Sequence, residues 1–263
     1  ARQPERVTSV ALPFTVTFEN PANASSPVSR LRIVQQLDPA AVDVRSFRLG
    51  DIRLGDILVH IPSDRASFSG EFDLTEERGI ILQVTAGLDI NANVVTWVMT
   101  AIDPLTGLPA TDPSLGLLFP NKDRTEGGQL AYTIKANPES VTGAALTASA
   151  RVIYGDAAPI DTNTVTGTVD ATAPATQLAV VQVGSATYSL SWTGADDAEG
   201  SGIKDYTVYL SLNGAPYVTW KSGLTETSAT YQGVPGGTAE FIVLAMDNAG
   251  NREQGPMGVT LPT

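Results

Sequence analysis

The sequence contains no cysteine and a single histidine, His60. Without cysteine the chain cannot form disulfides, use a catalytic thiolate, hold an iron–sulfur cluster or build the usual structural zinc site. A single histidine cannot supply a metal-binding pair, and it leaves one candidate base for a Ser-His-Asp triad. Because His60 alternates with Val59 and Ile61 along the chain, it is expected on the polar face of a strand, at the surface.

Positive charge is also scarce. The chain has 16 Lys and Arg against 28 Asp and Glu, which gives a formal net charge of -12. Nucleic acids and anionic membranes attract proteins with clustered basic residues, so neither is expected as a partner. The sequence has no apolar run near the ~20 residues that a membrane-spanning helix needs, so no membrane insertion is expected.

Aromatic residues make up only 6% of the chain, which leaves few rings for stacking on sugars. Trp97 and Trp192 lie in strand-like segments and are expected in the core. Tyr217 and Trp220 follow the Asn213-Gly214 turn and are the candidate ligand-binding residues, with a glycan as the ligand. An ordinary cross-strand aromatic patch is the alternative interpretation.

No motif in the sequence indicates catalysis. The Gly-x-Ser-x-Gly elbow and the phosphate-binding Gly-x-x-x-x-Gly-Lys-Ser/Thr loop are both absent. A glycosidase needs two carboxylates, but nothing distinguishes one pair among the 28 acidic residues. Glu76 and Glu77 beside Arg78 indicate a charged turn. We therefore assign no catalytic residue and do not expect an enzyme.

Hydrophobic residues alternate with polar ones along most of the chain, which is typical of half-buried antiparallel strands. Clear helical periodicity is absent, and Asp38-Pro39 predicts at most one turn of helix. The fold class is therefore all-β. The strands predicted in the first part of the chain are 14–18, 29–33, 57–61, 80–85, 94–101, 130–135 and 146–154.

A short Thr- and Pro-containing segment, 171–176, follows a Thr-rich strand and is typical of a linker. We place a domain boundary at about residue 173. The predicted domains are residues 1–173, a β-sandwich, and residues 174–263, a second β-sandwich.

The second domain has predicted strands at 188–192, 205–210, 228–231 and 240–247, and the first of them ends on Trp192. This pattern resembles the fibronectin type III family, and the resemblance makes Trp192 the core tryptophan. The resemblance implies two tandem immunoglobulin-like or fibronectin type III-like β-sandwiches. Ala239 stands where the family usually has its corner tyrosine, so that hydrogen-bonded brace is not expected.

Two segments, 196–203 and 245–251, are similar to signatures of type III domains in large secreted bacterial proteins. Segments 18–21, 36–39, 47–52 and 158–162 of the first domain are similar to an uncharacterised repeat domain that often precedes such modules. These resemblances imply an extracellular or cell-surface location, and they imply no reaction.

The acidic loop after the Trp192 strand and the loop after the Phe241 strand should emerge at the same end of such a sandwich. Calcium takes six to eight oxygen ligands, and crowded carboxylates without a cation repel one another. We therefore expect a structural calcium ion at this end. Its candidate ligands are Asp196, Asp197, Glu199, Asp247, Asn248 and Asn251. A simple hairpin turn beside a solvated acidic loop is the alternative.

Two other stretches of the chain are rich in oxygen-bearing side chains. Asp89-Ile90-Asn91-Ala92-Asn93 begins like a calcium loop, but Val94 and Thr100 replace the required Gly and Glu. A hairpin between the strands at 80–88 and 94–101 is the better interpretation. The long Pro- and Gly-containing loop at 103–123 is a candidate contact surface.

The function expected from the sequence is that of a noncatalytic spacer or assembly module of a secreted or cell-surface bacterial protein, stiffened by calcium. The expected partners are other domains of the same protein or neighbouring surface proteins. The alternatives are an adhesion module that binds carbohydrate or protein, and an accessory segment of a secreted hydrolase.

Overall fold

The computed structural model describes residues 6–7, 11–122 and 127–262 of the chain. Strands dominate, and the prediction of an all-β fold is confirmed. The helix α1 (Thr75–Arg78) is a single turn that ends at Gly79, whose φ of 69° is left-handed. Within the described ranges, no helix is long and apolar enough to cross a membrane.

In chain order the first strands are β1 (Arg6–Val7), β2 (Leu12–Glu19), β3 (Arg30–Gln36), β4 (Val42–Leu54), β5 (Ile57–Val59), β6 (Ser67–Leu74), β7 (Ile80–Asp89), β8 (Val94–Ile102), β9 (Gly127–Ala136), β10 (Ala145–Ala148), β11 (Arg151–Tyr154) and β12 (Ile160–Asp161). They are followed by β13 (Val165–Val169), β14 (Ala175–Gln182), β15 (Thr187–Ala195), β16 (Ile203–Leu212), β17 (Val218–Leu224), β18 (Ser228–Gln232) and β19 (Ala239–Asp247).

The chain divides into two compact units. Of the described residues, the larger unit comprises 11–122, 127–138 and 146–166, and the C-terminal unit comprises 6–7, 139–145 and 167–262. These units are discontinuous in sequence. The prediction that residues 1–173 and 174–263 are separate domains stays a prediction.

The larger unit is a β-sandwich. One sheet has the strand order β12-β11-β3-β8-β7-β6 and the other has the order β2-β9-β4-β5. Phe47 from β4, Trp97 from β8 and Tyr132 from β9 pack between the sheets, with ring centroids 5.4–6.1 Å apart. Trp97 is fully buried, as the sequence predicts.

The C-terminal unit holds a smaller sandwich of two three-stranded sheets, with orders β14-β15-β18 and β17-β16-β19. Trp192 from β15 meets Tyr206 from β16 edge to face, with 6.0 Å between ring centroids. These two rings and four other buried residues form the core of this sandwich: Leu190, Trp192, Tyr206, Val208, Val243 and Ala245. The prediction of a fibronectin type III-like sandwich with a core tryptophan is confirmed. In the same unit, Arg6–Val7 pairs in parallel with Thr168–Val169.

Two local predictions need correction. The strand predicted at 146–154 is two strands, β10 and β11, because the Ala150 N–H and C=O hydrogen-bond with Thr162 instead of continuing one ladder. Residues 76–78, expected as a charged turn, belong to the helical turn α1. At Asp38, where at most one turn is predicted, the chain makes a single turn: Asp38 Oδ1 accepts from Ala40 N–H, and its carbonyl oxygen accepts a 2.9 Å hydrogen bond from Val42 N–H.

Two other predictions agree with the structure. Strands β7 and β8 form a hairpin around Asp89, whose Oδ1 accepts hydrogen bonds from Asn91 N–H at 2.9 Å and Ala92 N–H at 3.1 Å. Asn93 takes the left-handed φ of 54° that such a turn needs. His60 lies at the surface, 78% exposed, with its Nδ1 3.0 Å from Asp51 Oδ1.

Candidate metal centre

The two loops predicted to meet at one end of the smaller sandwich do meet. Asn248 lies in the loop after β19, and its Nδ2 donates 3.0 Å hydrogen bonds to the carbonyl oxygens of Ser201 and Gly202, which precede β16. Gly202 has a φ of 80°, which is unfavourable for other residues. The loop after β15 and the loop after β19 are thus held against each other.

Asp170, which is not among the ligands predicted from the sequence, completes this junction. It directly follows β13 and is fully buried. Its Oδ2 accepts a 2.6 Å hydrogen bond from Ser201 N–H, and its carbonyl oxygen accepts one of 3.1 Å from Asn251 Nδ2. The segment that leads into the sandwich is therefore bound to both loops.

Three carboxylates converge at this place. Asp170, Asp196 and Asp197 each offer an oxygen, and these oxygens lie within 4.8 Å of one another. Asp196 Oδ2 also accepts a 2.6 Å hydrogen bond from Gly202 N–H. Closely spaced carboxylate oxygens suit a hard cation such as calcium, with backbone carbonyls or water completing six to eight ligands. The residues present therefore fit the expected ion, in a set that comprises Asp170, Asp196 and Asp197.

The other expected ligands have different surroundings. Asp247 is fully buried and accepts two hydrogen bonds from Asn251, one from its N–H at 2.8 Å and one from its Nδ2 at 2.7 Å. Burial raises the pKa of Asp247, and the nearby charge of Asp170 adds to that rise, while the Asn251 bonds oppose it. The Glu199 carboxylate lies against Gly143. Their roles as metal ligands stay predictions.

A sequence signal for Asp170 exists but is weak. An aspartate at the end of a Thr-rich strand is common in turns, and Asp170 lies 31 positions before Ser201. Only the fold reveals that this aspartate is buried beside the acidic loop.

Tyr217 and Trp220, the candidate ligand-binding pair, are partly buried and contact neighbouring side chains, and their role in ligand binding stays a prediction. Trp220 packs edge to face on Tyr231, with centroids 5.3 Å apart, and lies 5.9 Å from Phe241. Lys221 Nζ lies 5.2 Å from the centroid of the Trp220 ring. Tyr217 donates from its hydroxyl to Glu240 Oε2 at 3.2 Å. Burial and this neighbouring carboxylate raise the pKa of Tyr217.

No protein-family model matches the chain. Endoglucanase B of Cellulomonas fimi is 32% identical over 133 residues, which are 51% of this chain and 12% of that enzyme. The chain thus matches only a small part of that relative's length.

The chain is also similar to solved structures of β-sandwich modules. The fibronectin(III)-like modules of Clostridium thermocellum CbhA are 14% identical with a TM-score of 0.32, and the match covers 96% of this chain and 85% of theirs. Two domains of the major pilin SpaD from Corynebacterium diphtheriae are 13% identical with a TM-score of 0.37, over 98% and 82% of the two chains.

Proposed function

We propose that this chain is a noncatalytic structural module of a secreted or cell-surface bacterial protein. In this proposal a calcium ion at Asp170, Asp196 and Asp197 stiffens the segment that leads into the C-terminal sandwich. The observation that carries the proposal is that Asp170, from this segment, lies with Asp196 and Asp197 in one group of carboxylates.

Hydrogen bonds around Asp170 support a stiffening role. Ala171 N–H donates to Thr142 Oγ1 at 3.0 Å, and the Oγ1 atoms of Thr142 and Thr172 are 2.9 Å apart. Gly143 N–H donates to the Val169 carbonyl at 2.9 Å. The segment is thus fixed on both sides of Asp170, and a cation there would join it to the acidic loop.

The hydrogen bonds of the carboxylates at this junction support a noncatalytic role. Asp170, Asp196 and Asp247 all accept hydrogen bonds from loop N–H groups, which suits a structural brace. The match to 12% of an endoglucanase also supports the role of an accessory segment within a larger enzyme. Extracellular calcium-binding modules typically have dissociation constants of about 10⁻⁴–10⁻³ M, and we expect this range here.

The test is calcium titration calorimetry on the full chain, with Asp170→Asn and Asp196→Asn as site variants. Asp89→Asn, in the hairpin of the larger unit, is the matched control. We expect one calcium ion per chain for the wild type and the control, and at least a tenfold weaker affinity for both site variants. Equal binding by all four proteins, or no binding by any, would refute the site.

A second candidate function, protein binding, is favoured by the loop that follows β8. Leu105 and Leu108 are 94% and 65% exposed. Two backbone hydrogen bonds nevertheless hold this loop. Asp103 N–H donates to the Leu108 carbonyl at 2.9 Å, and Gly107 N–H donates to the Asp103 carbonyl at 2.8 Å. Rigid exposed leucines suit contact with another protein domain. Sedimentation of the wild type and of the Leu105→Ser/Leu108→Ser variant tests self-association, and identical monomeric behaviour of the two would argue against such contact between copies.

A further inference from the structure

A small cavity lies in the larger unit beside β2, the edge strand of the four-stranded sheet. Its volume is about 60 Å³. Its lining includes four consecutive residues of β2, 14–17, together with residues 148–150, 162, 163 and 165. The cavity also reaches two inward-facing polar side chains, Gln35 from β3 and Tyr132 from β9.

These two polar residues are buried but incompletely paired. Gln35 is 3% exposed and Tyr132 is 2% exposed. Gln35 Nε2 donates a 2.6 Å hydrogen bond to the Tyr132 hydroxyl oxygen. Gln35 Oε1 is buried and has no hydrogen-bond partner among the described residues. A buried polar atom without a partner costs about 1–3 kcal/mol, so a ligand that pairs with it would be stabilising.

In either orientation of the Gln35 amide, a polar group of Gln35 or Tyr132 is left without a hydrogen-bond partner. With Nε2 toward the tyrosine, Gln35 Oε1 needs a donor and the Tyr132 hydroxyl hydrogen needs an acceptor. With the amide reversed, the tyrosine donates to Oε1 and the Nε2 hydrogens need an acceptor. A group that both donates and accepts hydrogen bonds satisfies the pair in either case.

The size of the cavity limits the ligand. One water molecule needs roughly 10–15 Å³ of such space, so the cavity has room for about four water-sized positions. Phe14 and Val16 make part of the wall apolar, whereas Thr15, Thr17 and Asn163 add polar groups. A water molecule or an alcohol of very few atoms fits this space.

From this geometry we propose that the cavity is a binding site for a hydroxyl group, held between the Gln35 amide and the Tyr132 hydroxyl. Ordered water and a small alcohol are the two sources of that group. The site is preformed, because the Tyr132 ring stacks on Phe14 at 5.1 Å and lies 5.4 Å from Phe47. Burial also raises the pKa of Tyr132 to about 12, so its hydroxyl keeps its proton even in mildly alkaline solution.

The test is a crystal structure of the full chain at high resolution, with and without soaked methanol. We expect an oxygen within about 3 Å of both the Gln35 amide and the Tyr132 hydroxyl. In the methanol crystal, added density for a methyl group against Phe14 identifies the site as one that takes an alcohol. An unchanged single oxygen identifies it as a water site. Both results support the proposal.

The Gln35→Leu/Tyr132→Phe variant removes both polar groups with little change of volume, and we expect it to lose the bound oxygen. Gln129→Leu, at an exposed position of β9, is the matched control and should retain it. The proposal is overturned if the wild type has no oxygen there, if Gln35 Oε1 pairs directly with the buried Trp97 Nε1, or if the oxygen persists in the double variant. Because the wild-type structure is itself decisive, the test stands even where the double variant does not fold.

Discussion

Glu253 Oε1 accepts a 2.8 Å hydrogen bond from the main-chain N–H of Thr176. Its other carboxylate oxygen, Oε2, accepts one of 3.1 Å from Ala245 N–H. Thr176 belongs to β14 and Ala245 to β19, which lie in different sheets of the smaller sandwich. One half-buried carboxylate therefore joins the two sheets where their backbones offer free donors.

The first prediction concerns this bridge. Glu253→Ala leaves two partly buried N–H groups without their charged acceptor, so we expect the free energy of unfolding to fall by about 2 kcal/mol or more. Urea unfolding followed by tryptophan fluorescence, to which the buried Trp192 of the smaller sandwich contributes, measures the change. Glu226→Ala, at an exposed position, is the control and should change stability by less than about 0.5 kcal/mol. Equal effects of the two substitutions would show that the bridge contributes nothing.

The second prediction concerns Gly128 in β9. It pairs directly with Phe18 of β2, and the Phe18 ring covers it so closely that an added Cβ would lie 2.7 Å from ring atoms Cδ2 and Cζ. Gly128→Ala must displace the ring, and we expect a loss of about 1–3 kcal/mol. Gly127→Ala is the matched control, because its Cβ would meet only the Phe18 carbonyl oxygen at 3.9 Å. Chemical unfolding should separate the two variants, and similar stabilities would contradict this packing.

The third prediction concerns alkaline pH. Burial raises the pKa of Tyr132 from 10.0 to about 12 in the folded protein. Because the folded state binds this proton more tightly than the unfolded state, the stabilising contribution is complete below pH 10 and is lost as the pH rises from about 10 to 12. Tyr132→Phe should therefore show a shallower loss of stability over this range in thermal melts. The same slope in both proteins would mean that Tyr132 ionises as readily as in the unfolded chain.

The fourth prediction separates two roles for Trp220. The ring packs on Tyr231 and Phe241, so Trp220→Ala should lower the free energy of unfolding by about 2–4 kcal/mol. Tyr217→Phe removes only an exposed hydroxyl contact and should be nearly neutral. Affinity electrophoresis with soluble glucans provides the second readout. Wild-type retardation that disappears in Trp220→Ala without any loss of stability would instead favour the glycan-binding hypothesis.

The sequence predicts an element correctly where the residues that stabilise it are close together in the chain. The β7–β8 hairpin follows from alternating residues around Asp89 and Asn93, because an Asx turn and one left-handed residue close it locally. Trp192 was identified as a core residue from its strand. Asp170 was not identified, because its partners Ser201 and Asn251 are distant in sequence and only tertiary packing buries it with them.

The same distinction explains one smaller error. Residues 146–154 have the alternation of one strand, but Ala150 pairs with Thr162 across a loop, and this tertiary pairing divides the segment. Contacts between distant parts of the chain outweigh the local pattern there. At Trp220 the rings of Tyr231 and Phe241 form the kind of cross-strand aromatic patch that the sequence also allows, and its role in ligand binding stays a prediction.

The central claim is that calcium at Asp170 stiffens the segment that precedes the smaller sandwich. Amide hydrogen exchange of the full chain with and without millimolar calcium tests it most directly. Ser201 N–H and Val169 N–H are the reporters, because they donate to Asp170 Oδ2 and to the Ala144 carbonyl. We predict that calcium slows their exchange at least tenfold in the wild type and leaves it unchanged in Asp170→Asn. Exchange rates that calcium does not alter in the wild type would contradict the claim.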